Sequence, residues 1–218
     1  RSLLETENAK LMGRLQEQEN LLVAFELPLV EGVLAGRTVS VIYANKDWRE
    51  GWQAVIDKLL KQADAQVVAN SVISELLQGG VIASLPDENG EEGPSSTEEQ
   101  SLKLQALADD VRGLLGGRTT PIQTDVSDVL LMVGTGGDKT ETWEKQMAKE
   151  ALALGIAVAV VGNTDMEAYL HELAEEGVLA MDNLDSVTGR VGLIRGLLVG
   201  QVGYYGVGKS AKGPWPPP

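Results

Sequence analysis

The sequence predicts an α/β domain, a three-layer parallel sheet of the flavodoxin-like or Rossmann-like kind, preceded by a long N-terminal coiled-coil helix. Three observations predict it. Apolar, β-branched runs of strand length (TVSVIYA at 38–44, VLLMV at 129–133, IAVAVV at 156–161) alternate with stretches of helical length, the order that builds a parallel sheet with helices on both faces. These runs are apolar at nearly every position, which fits strands buried on both sides. The opening residues instead carry apolar side chains at steps of four and three, the period of a helical seam.

That seam runs through Leu4, Asn8, Leu11, Leu15, Gln18, Leu22, Phe25 and Leu29, with charged and amide residues around it. Asn8, Leu15, Leu22 and Leu29 take one core position of a heptad, and Leu4, Leu11, Gln18 and Phe25 the other. A single Asn at the first kind of position fixes register in two-stranded coils, so a parallel homodimer is expected over residues 1–34. A single helix packed on its own domain would use the same stripe, but Asn8 and Gln18 suit an apolar sheet poorly. Pro28 costs roughly 3 kcal/mol inside a helix, so the coil should end or bend near Leu27.

After Gly36 the pattern turns to strand. Residues 38–44 make the first, and Asp47 to Gln62 is amphipathic through Trp48, Trp52, Val55, Ile56, Leu59 and Leu60. Ala65 to Ala69 reads as a second strand. Residues 78–100 lose periodicity and collect Glu, Asp, Gly, Pro and Ser, the make-up of a solvated acidic loop. A helix resumes at Leu102 to Leu115, and a strand follows at 129–133. Next come a helix at 142–154, a strand at 156–161 and a helix at 165–176 capped by Thr164 or Asp165. A short strand at 178–181 precedes the last helix from Ser186. The right-handed crossover rule gives the order 2-1-3-4-5. The domain is placed at 35–199, and residues 200–218 form a tail with too much Gly and Pro for a core element.

Composition narrows the chemistry. Eighteen Lys plus Arg stand against 32 Asp plus Glu, a formal net charge of −14. Nucleic acid and anionic lipid call for a basic footprint, so no nucleic-acid partner is expected. The chain has no cysteine, which removes disulfides, thiolate metal sites and cysteine nucleophiles. No run reaches the ~18 apolar residues of a membrane span. The chain opens at Arg1 within a helical pattern and without Met, so an upstream segment is expected.

In a doubly wound sheet a ligand binds beyond the strand C-termini where the order reverses, here between the first and third strands. Asn45, Asp47, Gly134, Thr135, Gly136 and Gly137 face that point. Glycines before a helix N-terminus favour anions, but Asp138 interrupts the phosphate-loop pattern. A tight turn with a helix cap and a small-molecule cleft both remain open. Asp182, Asn183 and Asp185 follow the last strand, where carboxylates serve either cation or acid–base chemistry or a helix cap by Asn183 or Asp185 with Asp182 fixing the turn. His171, among glutamates, reads as a surface residue. Met132 and Met181 fall in strands and read as core. Neither catalytic residues nor a resident cofactor or metal is read from the sequence.

The end motifs carry a resemblance. Met181-Asp182-Asn183-Leu184-Asp185-Ser186, a helical run and then Gly203-Tyr204-Tyr205-Gly206-Val207 are similar to the close of the mycobacterial copper transport protein B (MctB-like) family. Leu34-Ala35-Gly36-Arg37 before the first strand resembles its other end. The resemblance implies an extracytoplasmic, non-enzymatic envelope domain behind a membrane helix, with Asp182, Asn183, Asp185, Tyr205 and Gly206 as signature residues. It also implies a link to copper transport. Copper ligands are Cys, clustered His or paired Met, and this chain has one His and five separated Met, so copper handling is expected to be indirect. A small-ligand or nucleotide-binding module and an envelope scaffold are the competing readings.

Overall fold

The computed structural model describes residues 2–73, 127–134 and 141–217. The expected acidic loop at 78–100 and the helix at 102–115 lie outside the described residues.

The first helix, α1 (Ser2–Val30), runs for 29 residues. Every described side chain from Glu5 to Phe25 is exposed; among the described residues the helix meets the domain at its end, where Val30 and the following Leu34 are fully buried. It continues through Pro28 rather than stopping at Leu27. Proline there removes one N–H, yet Glu31 N–H still reaches the Leu27 carbonyl at 2.8 Å, and burial of the last turn holds the helical form. The helix is thus as expected. The structure shows no coiled coil, because it contains one chain.

The domain follows in order: β1 (Thr38–Tyr43), α2 (Lys46–Gln62), β2 (Gln66–Val72), β3 (Val129–Val133), α3 (Glu141–Ala153), β4 (Ala157–Val161), a 3-10 turn (Thr164–Met166), α4 (Glu167–Glu175), β5 (Leu179–Met181), α5 (Val187–Val199) and β6 (Gly203–Tyr205). The six strands form one sheet in the order β2-β1-β3-β4-β5-β6, parallel throughout. The first five have the expected order. The sixth lies beyond the expected boundary at 199, in the tail. Gly203 enters it at φ +127, and Tyr204 and Tyr205 bury their rings to 1 % and 4 % exposure. Two aromatic side chains on opposite faces outweigh the weak strand preference of the glycines around them.

Both faces are covered. On one, Ile56, Leu59 and Leu60 of α2 and Val191, Ile194 and Leu197 of α5 pack with Val41, Leu131, Val133 and Met181. On the other, Met147 and Ala151 of α3 and Leu170 and Leu173 of α4 pack with Met132 and Val160. The central strand β3 is buried at every residue, as an all-parallel sheet requires. At its N-terminal edge Asp128 accepts hydrogen bonds from the Thr38 backbone (2.8 Å) and hydroxyl (3.0 Å), joining β1 to the turn before β3.

The end of α1 lies alongside α5 and runs in the same direction. Arg190 holds Glu26, and Arg195 donates to the Leu29 carbonyl at 3.2 Å. Since α5 descends from the C-terminal edge of the sheet, the free part of α1 points past that edge. Twenty-four helical residues give it a length of about 36 Å.

Candidate functional site

The C-terminal edge of the sheet gathers two of the predicted groups. At the switch between β1 and β3, Asn45 is extended and its side chain caps α2, accepting the Trp48 N–H at 3.0 Å. Gly134 leaves β3 at φ +80 and donates its N–H to the Val161 carbonyl at 2.7 Å. The Trp48 indole lies across it, so close that an ideal Cβ on Gly134 would stand 2.2 Å from the ring. Asn45 and Gly134 therefore meet through Trp48, whose ring packs directly over Gly134. Asp47 is exposed in the first turn of α2. Thr135, Gly136 and Gly137 lie outside the described residues.

The second group is at the ends of β5 and β6. Asp182 is 7 % exposed, and its carboxylate accepts three hydrogen bonds. They come from the Tyr204 hydroxyl at 2.6 Å, Val207 N–H at 2.8 Å and Gly208 N–H at 2.9 Å. A buried charge needs such partners, and here all three belong to the chain's own tail. Burial first, and then the Asp182 carboxylate, push the Tyr204 hydroxyl well above the usual phenol range. Gly206 turns between them at φ +147. Further along the tail, Ser210 N–H donates to Glu167 of α4. The Ser210 hydrogen bonds hold that exposed carboxyl below its ordinary value.

Asn183 ties the same turn to the far end of the tail. Its amide donates to the Pro214 carbonyl at 3.1 Å. Beyond it, Trp215 and Pro216 lie on Gly192 and Gly196 of α5, where ideal Cβ atoms would come within 3.0 and 3.1 Å of them. The cap of α5 is neither Asn183 nor Asp185. It is Ser186, whose hydroxyl accepts the Gly189 N–H at 3.0 Å and donates to the Asn183 carbonyl at 2.8 Å. Ser immediately before the helix is the favoured cap residue, and that signal was open to reading. Asp185 is exposed, and its backbone carbonyl accepts from Arg190 Nη1 at 2.8 Å. The Tyr205 hydroxyl accepts from the Gln201 amide at 3.0 Å. Four of the five signature residues (Asp182, Asn183, Tyr205 and Gly206) are thus drawn to the seating of the tail.

One sequence signal there was missed. Gly203 to Ser210 has the Gly-x-x-x-x-Gly-Lys-Ser spacing of a phosphate loop. That loop needs a following helix and free N–H groups, but residues 206–217 contain no helix. The N–H groups of Val207, Gly208 and Ser210 point at Asp182 and Glu167 instead. The cradle is filled by the protein's own carboxylates.

The seam residues Leu11, Leu15, Leu22 and Phe25 are 44–63 % exposed, and Asn8 and Gln18 share that exposed surface; the Leu4 side chain lies outside those described. His171 is exposed, 3.8 Å from Glu175. Met132 and Met181 are fully buried. Among the described residues, three or more His, Cys, Asp or Glu side chains are nowhere gathered as a metal would need, and no helix is long and apolar enough to cross a membrane. No protein-family model, curated protein or solved structure matches the chain.

Proposed function

We propose that this chain is the extracytoplasmic, non-enzymatic part of a cell-envelope protein of the MctB-like copper transporter family. In this reading it works as a parallel homodimer on a membrane-anchored rod, and it serves copper transport without holding copper itself. The observation that carries the reading is the free seam of α1. A helix whose last turn is buried in the head leaves Leu11, Leu15, Leu22 and Phe25 in water over about four turns. A contiguous exposed apolar stripe of this length marks a partner surface, and its heptad spacing suits a second copy.

The resemblance itself is supported by the way its residues interlock. Asp182 and Gly206, 24 positions apart in sequence, form one joint. The Trp48 ring packed over Gly134 and the saturated carboxylate of Asp182 both favour a head that binds through its surface rather than through a cofactor.

The test is a mass measurement by light scattering, with and without copper. The wild-type chain should be a dimer under both conditions, and Leu15→Glu should be monomeric with the head still folded. Titration with Cu(I) and Cu(II) should show no stoichiometric submicromolar site. A monomeric wild type removes the rod reading; a tight copper site, or a nucleotide or flavin retained on purification, removes the reading of the head.

A further inference from the structure

The free seam and the contact with the head share one side of α1. With Asn8, Leu15 and Leu22 at a positions and Leu11, Gln18 and Phe25 at d, Glu26 is an e position and Leu21 a g position. Glu26, Leu29 and Val30 hold the helix to the head. A groove of about 390 Å³ opens beside Glu26, between α1 and α2. Its other lining includes Ala54, Val55, Leu59, Lys58 and Arg190; Arg190 is paired with Glu26, which leaves Lys58 as the added cation.

Leu21 is 60 % exposed at a position where coiled coils usually carry charge. It cannot serve the groove of its own chain. Five residues separate it from Glu26, which turns it roughly 140° away around the helix at about 100° per residue. In a parallel pair, however, the g residue of one helix lies beside the e residue of the other in the next heptad. Leu21 of a second copy therefore arrives next to Glu26, at the lip of the groove. Charge agrees, because residues 16–31 contain glutamates and no Lys or Arg, while Lys58 stands on the receiving side.

We propose that this groove receives Leu21 of a second copy, so that each head grips the base of the other's rod about a two-fold axis. The inference rests on the parallel pair proposed above and adds a contact between rod and head that the seam alone does not require.

The absence of cysteine from residues 1–218 allows a direct test in this chain. Oxidised L21C/V55C should give a dimer linked by disulfides that thiol reverses, and N8C alone should link across the seam. Cross-linking of N8C without cross-linking of L21C/V55C would overturn the groove contact and leave the pair standing. A chain of single mass in which neither links would overturn both. As an independent readout, Leu21→Ala should weaken dimerisation about tenfold by sedimentation with head unfolding unchanged, and an unaltered dissociation constant would count against the contact.

Discussion

Gly206 leaves no room for a side chain beside Asp182: an ideal Cβ built on it would lie 1.6 Å from Oδ1 of the carboxylate. The backbone there is also at φ +147, a region that favours glycine. The aspartate cannot withdraw, because Tyr204, Val207 and Gly208 all donate to it. Gly206→Ala should therefore cost on the order of 2–4 kcal/mol from strain and broken hydrogen bonds together, read as a shift in the urea midpoint. A midpoint within a few tenths molar of wild type would mean that the tail is not seated as described.

The joint also makes a statement about alkaline pH. The Tyr204 hydroxyl is held above its ordinary range, and burial, then Asp57, push Tyr43 up to about 12. Both groups favour the neutral form when folded, so their contribution is complete below the unfolded value near 10 and declines as pH rises above it. Stability should fall between pH 10 and 12, with phenolate absorbance from these two rings appearing together with unfolding. Tyr204→Phe should keep the ring packing, lose about 1 kcal/mol at pH 7 and flatten part of the alkaline decline.

At acid pH the rod's attachment is the sensitive part. Arg190 grips Glu26 with two parallel bonds, Nε to Oε1 at 2.7 Å and Nη2 to Oε2 at 2.9 Å, and its Nη1 also reaches the Leu184 and Asp185 carbonyls. The Arg190 hydrogen bonds, opposed by burial, hold the Glu26 carboxyl below its ordinary value of 4.5. A lowered carboxyl contributes stability that is present above its unfolded value and is lost as pH falls through the folded one. Glu26→Gln should cost about 1–2 kcal/mol at pH 7, and that difference should shrink steadily below pH 4.5. Arg190→Lys should lose a similar amount, since an ammonium cannot make the fork.

On the exposed seam the expectation is reversed. Leu15 is 63 % exposed, so Leu15→Glu should change unfolding of the head by less than about 0.5 kcal/mol while abolishing the two-chain mass. A loss of head stability would mean that the seam packs on its own domain.

Particular residues show how far the sequence could be read. The runs at 129–133 and 157–161 fell where expected because an all-apolar strand has one environment that suits it, the middle of a covered sheet. Asn183, Asp185 and Ser186 are all good caps by residue type, and only the path of the turn decides that it is the Ser186 oxygen that meets the Gly189 N–H. Gly203-Tyr204-Tyr205 looked like tail because local preference for a strand is weak there, and the pairing with β5 that makes it one is not local.

The order of apolar and polar residues by itself determined the alternation of strands and helices, the parallel sheet and the long opening helix, since periodicity and burial are properties of each segment. Only the tertiary structure decided that the tail is the sixth strand, that Asp182 and Glu167 fill the tail's own N–H cradle, and that Trp48 covers Gly134. These depend on groups far apart in sequence meeting within about 3 Å, and a buried carboxylate is stable only where the folded chain brings donors to it.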